Sequence, residues 1–307
     1  MSESQATGGY RFGYVAIVGR PNVGKSTLLN RILGQKISIV TAKPQTTRQR
    51  IMGIKTTAQG QVVYLDTPGI HHAEGRALNR YMNRIARATF RDVDLVLFMV
   101  EAGHWSERDL AILEGLRSAE VRVVLVINKI DRVDNREKLL EFVQKKIVPE
   151  NLEQVLMISA TRGDGIDDLE AAVLEHLPFS RPFYDEDQIT DRSERFLAAE
   201  LIREALTERL HQELPYALTV EIEEFSREGK LLRIGAIIWV ERDSQKQIVI
   251  GQGGRALKQV GRRARGDMET LFDQKVFLRT WVKVSKDWTR SQRSLARFGY
   301  GEYVFRS

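Results

Sequence analysis

Gly19-Arg20-Pro21-Asn22-Val23-Gly24-Lys25-Ser26 is the segment in which residue types and spacing point most directly to chemistry. It fits the pattern G-x-x-x-x-G-K-[ST], a loop whose backbone N–H groups turn inward on phosphate. Gly19 and Gly24 permit that close approach. Lys25 carries a point charge to the β- and γ-phosphates, and the Ser26 hydroxyl is a hard-oxygen ligand for Mg²⁺. Thr27 follows in the opening turn of a helix whose N-terminal dipole also favours an anion.

Three later segments choose the base. Asp66-Thr67-Pro68-Gly69 offers an aspartate that can hold Mg²⁺ through water and a Gly69 amide that can meet a γ-phosphate. In Asn128-Lys129-Ile130-Asp131, the Asp131 carboxylate can accept from both N1–H and the 2-amino group of guanine. Adenine has no such pair of donors, so guanine is favoured. The Lys129 stem can cover the base. At Ser159-Ala160 the Ala160 amide can donate to guanine O6. Between Lys36 and Ile51, Gln45-Thr46-Thr47-Arg48 supplies a hydroxyl to complete the Mg²⁺ shell. Thr46 and Thr47 both qualify, and Thr47 is favoured. Each tetrapeptide alone is weak; four in order, each behind an apolar strand, specify GTP. Ile70 completes the expected contacts, and the metal set is Ser26, Thr47 and Asp66.

A second chemistry lies late in the chain. Gly251-Gln252-Gly253-Gly254 is a G-x-x-G loop that opens a helix, so backbone and dipole again suit phosphate. Arg255 and Lys258 add charge, and Ile248, Ile250 and Leu257 suggest an apolar groove for bases. Trp281 and Trp288 can stack on bases, but core packing is the first reading of both. Arg76, Arg80, Arg84 and Arg87, at near-helical spacing, read first as a solvated face and second as an RNA-facing strip. His71 and His72 read as surface residues.

Elements must hold these groups. Tyr14–Val18, Gln61–Leu65, Val121–Ile127 and Val155–Ile158 are short apolar runs that predict buried strands, and Ser26–Leu33 predicts a helix. Proline and acid content across 175–191 marks a linker, placed at 180–191. Beyond it, Ser193–Leu210 has helical apolar spacing. Two strands (Thr219–Glu223 and Leu231–Val240), a short helix (Ser244–Ile250), the glycine loop, a helix to about Phe272 and a last strand (Val276–Val284) follow. The division is a flexible tail 1–12, a nucleotide domain 13–179, the linker, and an RNA-binding domain 192–307 with a C-terminal basic helix.

The 307 residues contain no cysteine, which excludes disulfides, iron–sulfur clusters and thiol nucleophiles. The five histidines lack metal-ligand spacing. The polar N-terminus has no apolar signal region, and the longest apolar run, Leu95–Val100, is too short to span a bilayer. A cytoplasmic, reducing setting is the expectation. Residues 251–307 hold 13 Lys and Arg against 5 Asp and Glu, and 31–60 hold six basic and no acidic residues. Such concentrated positive charge attracts phosphate backbones or anionic lipid.

The first half resembles a translation-factor-class GTPase domain, and the element order around IGQGGRALKQV resembles a KH domain of the prokaryotic type (type II). Together they resemble the Era family of bacterial GTPases. The resemblance runs through Gly19–Ser26, Gln45–Arg48, Asp66–Gly69, Asn128–Asp131, Ser159–Ala160, Thr190–Ser193, Leu214-Pro215-Tyr216 and Gly251–Lys258. It implies a mostly parallel P-loop α/β domain with helices on both faces, followed by an α+β KH domain. It implies GTP, GDP and Mg²⁺ as ligands. It further implies binding to the 3′ end of 16S rRNA in small (30S) subunit assembly, with GTP favouring capture and hydrolysis favouring release. A peripheral association with anionic lipid on the inner face of the cell membrane is implied too. Nothing in the sequence indicates an oligomer, so a monomer is expected.

The catalytic set carried over is Asn22, Lys25, Thr47 and Gly69. Where Ras-like enzymes place a water-orienting glutamine, this chain has Ile70, so intrinsic hydrolysis is expected to be slow. In related GTPases an asparagine at the place of Asn22 helps bind an activating K⁺. Many KH loops carry a lysine where Gln252 and Gly253 stand, so charge must come from the following helix. The rivals are a GTPase acting in tRNA modification, an RNA-binding module with structural GTP, and a small-molecule kinase. The segment Asn128–Asp131 disfavours the last.

Overall fold

The computed structural model describes residues 9–43, 46–69, 77–88, 92–133, 152–210 and 214–300. Gln45, Ile70, His71, His72 and Arg76 lie outside the described residues. Met1–Ser38, Thr47–Ile70 and Met82–Asp191 form one compact unit; Ile39–Thr46, His71–Tyr81 and Arg192–Ser307 form a second.

The first unit is built on a six-stranded sheet in the order β2-β3-β1-β4-β5-β6. Its strands are β1 (Arg11–Gly19), β2 (Ile51–Thr56), β3 (Gly60–Asp66), β4 (Leu95–Glu101), β5 (Val123–Asn128) and β6 (Gln154–Ile158). Only β2 runs antiparallel to its neighbour. Val15–Val18, Leu95–Val100 and Val123–Ile127 are fully or almost fully buried, as parallel strands covered on both faces must be. Helix α1 (Lys25–Leu33) follows β1 and stops at Gly34, whose left-handed φ of 67° closes the last turn. Among the described residues, helices α2 (Ala77–Ala88), α3 (Glu107–Ser118) and α4 (Ile166–His176) also belong to the first half of the chain. In α3, Asp109 accepts from both the amide and the hydroxyl of Ser106, a capping arrangement. Sequence patterning does not single out β2, α3 or α4.

Two boundaries differ from expectation. The expected tail runs to residue 12, but β1 already begins at Arg11, because Arg11 and Phe12 register with Gly60 and Gln61 of β3. The segment 180–191 is not a free linker. The buried Gln61 amide accepts from the Phe183 and Tyr184 amides at 2.9 Å each and donates to the Tyr184 carbonyl at 2.9 Å. Farther on, Ile54 donates its amide to the Ile189 carbonyl and Thr190 its hydroxyl to the Met52 carbonyl. Both bonds fall on β2, an edge strand whose unpaired backbone needs cover.

The second unit carries α5 (Glu194–Arg209), β7 (Leu218–Glu228), β8 (Leu231–Val240), α6 (Asp243–Ile250), α7 (Arg255–Phe272), β9 (Lys275–Val284) and α8 (Gln292–Arg297). The three strands lie in the order β7-β8-β9, the first pair antiparallel and the second parallel over ten residues. A parallel pair needs a crossover, and α6, the glycine loop and α7 supply it. Leu201, Ile202 and Leu206 of α5 join Ile234, Ile238 and Val260 in the core.

Candidate nucleotide-binding site and nucleic-acid groove

The four motifs of the first unit stand at the carboxyl ends of parallel strands, where open α/β sheets bind ligands. The phosphate loop leaves β1, Asp66–Gly69 leaves β3, Asn128–Asp131 leaves β5 and Ser159–Ala160 leaves β6. The loop tolerates little change. A Cβ on Gly24, which has φ of 108°, would sit 2.2 Å from Nδ2 of Asn128, and one on Gly19 would sit 2.4 Å from the Met99 carbonyl. Asn22 occupies the left-handed region at φ 65° and is exposed. Arg20 is pinned by a 2.7 Å ion pair with the buried Asp109, and Val23 is buried. Gly69 packs on Pro21, and the Thr67 hydroxyl donates to the Ile17 carbonyl.

Lys25 is buried and donates to the carbonyls of Gly19 and Arg20 at 3.0 and 2.9 Å. Burial pushes its ammonium down to about pKa 8, against the pull of Asp66, with Arg20 adding to the depression. Such an ammonium is poised to gain from an anion.

Four oxygens converge beside it. The Ser26 hydroxyl donates to Asp66 Oδ2 at 2.6 Å and lies 2.9 Å from the Thr47 hydroxyl. Thr47 and Ser38 also donate to Asp66 Oδ2, at 3.3 and 2.9 Å. Asp66 Oδ1 is buried without a hydrogen-bond partner. Burial raises the Asp66 pKa, countered by Lys25 and the three hydroxyls. A hard divalent cation fits this set, since it would engage the orphaned carboxylate oxygen and the hydroxyls without needing nitrogen or sulfur ligands. Thr46 faces elsewhere, bonded to the Thr41 hydroxyl at 2.7 Å and the Lys43 carbonyl at 2.6 Å.

The base-reading loops are fastened to one another. The Asn128 side chain donates to the Val23 carbonyl at 2.7 Å and accepts from the Ala160 amide at 3.0 Å. This bond places the Ala160 amide, the group expected to meet guanine O6, next to the Asn128 side chain. Asp131 is half-buried, and its bond from the Ser159 hydroxyl at 2.6 Å holds its pKa below the usual range. Lys129 adopts φ 66° and pairs with Glu101 at 2.9 Å.

In the second unit Gly251, Gly253 and Gly254 all take positive φ, at 69°, 57° and 75°. A Cβ on Gly251 would come within 2.6 Å of Ala256 Cβ, whereas Gly253 and Gly254 face open space. From Gly254 a groove of about 530 Å³ runs between α7 and β9. Leu257, Lys258, Gly261, Arg262 and Arg265 line the helix side, and Val276, Phe277, Leu278 and Thr280 the strand side. Of the expected groove residues, only Leu257 and Lys258 line it beside Gly254. Ile250 packs on the core and Ile248 is 58% exposed outside the groove lining. Gln252, Gly253 and Arg255 are in the loop and first turn, also outside the lining. Sequence reading misses the whole strand wall. Its signal is the alternation in KVFLRTWVKV, which marks a strand but not what faces it.

Ile39–Thr46, at the middle of the expected switch segment, packs within the second unit. The Val40 amide donates to the buried Glu204 carboxylate at 2.9 Å. Arg203 donates to the Thr46 carbonyl, and Lys43 to the Thr207 and Leu210 carbonyls at the end of α5. Of the arginines spaced along α2, Arg80 and Arg84 are exposed. Among the described residues no helix is long and apolar enough to cross a membrane, and no cluster of three His, Asp or Glu suits a metal.

Known proteins resemble this chain along its length. Residues 14–129 match a family model described as 50S ribosome-binding GTPase, and residues 213–289 match one described as KH domain. GTPase Era of Pseudomonas aeruginosa is 52% identical over 294 residues, covering 96% of this chain and 96% of that protein. GTPase Era of Stenotrophomonas maltophilia is 52% identical over 288 residues, covering 94% and 97%. A crystal structure of a point variant of Aquifex aeolicus Era, bound to GDP and AlF4⁻, superposes with a TM-score of 0.90 at 39% identity, covering 95% of this chain and all of that one. A structure of Era with MgGDPNP and nucleotides 1506–1542 of 16S ribosomal RNA gives 0.90 at 38% with the same coverage.

Proposed function

This chain belongs to the Era family of GTPases, and we propose that it is a nucleotide-gated RNA switch that captures the 3′ end of 16S rRNA during assembly of the small ribosomal subunit. It hydrolyses GTP to GDP and phosphate. The observation that carries the RNA half is the groove of the second unit. It starts at a glycine loop and helix N-terminus suited to phosphate, has an apolar floor, and is rimmed by Lys258, Arg262 and Arg265.

Residue roles follow from the geometry. Backbone amides of Gly19–Ser26 cradle the phosphates, and the desolvated Lys25 ammonium stabilises the charge on the β- and γ-oxygens. Ser26, Thr47 and Asp66 hold Mg²⁺, which neutralises phosphate charge when bound. Asp131 reads N1–H and the 2-amino group of guanine, kept ionised by Ser159. Asn128 ties the base-binding loops to the phosphate loop. Thr47 and Gly69 bound the space where the γ-phosphate is transferred. We further propose a cytoplasmic monomer whose basic surface would also serve a peripheral contact with anionic membrane.

RNA binding is tested with single-stranded oligonucleotides of the 16S 3′ end at fixed salt, with GTP analogue, with GDP and without nucleotide. Tight binding that requires the analogue and disappears in a Gly251→Asp, Gly254→Asp variant supports the switch; binding indifferent to the nucleotide overturns it. From the resemblance to related GTPases we further propose that Asn22, in the phosphate loop, helps bind K⁺ as the activating cation. Hydrolysis should then be faster in K⁺ than in Na⁺, and equal rates remove that assignment.

A further inference from the structure

The outer face of the second unit's sheet carries a pattern that the groove does not use. Side chains at alternate positions of β9 point away from the core: Lys275, Phe277, Arg279, Trp281 and Lys283 are cation and ring in strict alternation. Phe277 is 44% and Trp281 38% exposed, unusual for such large rings. Across the parallel register Phe277 pairs with Arg233, and Lys283 with Trp239. The Arg233 guanidinium lies 5.3 Å from the Phe277 ring, Arg279 5.4 Å from Trp281, and Lys283 5.9 Å from Trp239. Arg297 of α8 lies 5.2 Å from the Trp239 ring.

Local sequence builds a seat for Trp281. Beside it on β8 stands Gly235, where a Cβ would lie 3.3 Å from the Trp281 ring. The glycine lets the indole lie across the neighbouring strand. β7, on the far side, presents acids. Glu228 takes Arg233 at 2.6 Å, and Glu221 accepts from the Trp239 indole at 2.8 Å. Positive charge and open rings are thus confined to β9 and the adjoining half of β8.

We propose that this face is a second single-stranded RNA track, continuous with the groove and resting on the RNA-binding reading above. Bases stack on Phe277 and Trp281, about 13 Å apart along the strand by its rise, and Arg279 with Lys275 and Lys283 holds the phosphates between them. Phe277 is the junction, since it lines the groove and belongs to the outer row. The groove holds about four nucleotides, and the track takes those that follow. RNA is the occupant because both ingredients, interleaved cations and ring faces, suit a polyanion of stacked bases, and because the surface continues a groove of the same chemistry.

The test compares a short oligoribonucleotide that fills only the groove, about four nucleotides, with one about three times longer, both from the 16S 3′ end. Binding is measured on the full chain with a GTP analogue. Trp281→Ala should weaken the long oligonucleotide about tenfold and leave the short one unchanged. Trp281→Phe should restore most of that loss. Arg279→Gln with Lys283→Gln should lower the salt slope of the long oligonucleotide by about one to two units. The Gly251→Asp, Gly254→Asp variant should lose both. Long-oligonucleotide affinity unchanged in Trp281→Ala and in Arg279→Gln/Lys283→Gln would overturn the track and leave this face to a protein partner. Absence of RNA binding by the unaltered chain would overturn the underlying reading, and the track with it.

Discussion

Among single residues, Lys25 makes the sharpest prediction. Its ordinary pKa of 10.5 is pushed down to about 8 by burial. Phosphate oxygens restore the charged form, so nucleotide binding takes up a proton once the free ammonium has begun to titrate. GDP affinity should be flat below about pH 8 and fall above it, at most tenfold per pH unit. Titration calorimetry in buffers of differing ionisation heat reads this directly; affinity constant to about pH 9, with no buffer-dependent heat, would contradict it. In the nucleotide-free protein the unfolded chain holds this proton more tightly, so Lys25 makes stability rise with pH between about 8 and 10.5. Thr46 and Thr47 illustrate how far residue types can be read. Both are hydroxyls in a polar loop, and sequence reading favours Thr47 as the metal ligand without excluding Thr46. Backbone direction turns Thr47 toward Ser26 and Asp66 and Thr46 toward Thr41, and that direction is not local information.

Among the elements, α5 is more than a core helix. Arg203 and Glu204 are almost fully buried, an uncommon pair of charges that persists because both are bonded. Glu204 accepts from Val40, while Arg203 joins Glu200 at 2.6 to 2.7 Å and the Thr46 carbonyl. Lys43 adds its charge to the carbonyl end of the helix, where a cation is favoured. Glu204→Leu should therefore release Ile39–Thr46. Thermolysin should cut before Val40 faster than in the unaltered protein, by roughly tenfold if about 1.4 kcal/mol of local stability is lost; an unchanged cleavage rate would show that the carboxylate does not hold the segment. Strand β2 explains why 180–191 departs from its reading. Pro182 and the acids there spell a linker, but Gln61 of β3 and the open edge of β2 bind the segment through its backbone. Backbone pairing leaves little mark on side-chain composition.

Over the whole molecule, the described residues include a hydrophobic cluster around Phe98, Ile112 and Leu125 in the first unit and one around Ile202, Ile238 and Val260 in the second, with no residue in common. GDP with Mg²⁺ touches groups of the first. At about a hundred times its Kd it adds about 2.7 kcal/mol to that unit alone. Calorimetry should show two transitions of which nucleotide raises one; a single transition moving as a whole would refute independent folding. The element order around the second glycine loop, both phosphate loops, the guanine selectivity and the family are legible in the residues alone. These depend on groups close in the chain, where glycine freedom, a helix start and a strand end are set within about ten positions. What distant segments bring together comes from folding. The wall of the RNA groove is supplied by β9, which reaches α7 only because it pairs in parallel with β8. Trp281 and Trp288 look alike in the sequence, and core packing is the first reading of each. Trp288 is wholly buried and donates its indole N–H to the Ala217 carbonyl, whereas Trp281 lies open on the sheet beside Gly235. Burial depends on which surfaces the folded chain brings against a side chain, and the short stretch of sequence between the two indoles does not encode that.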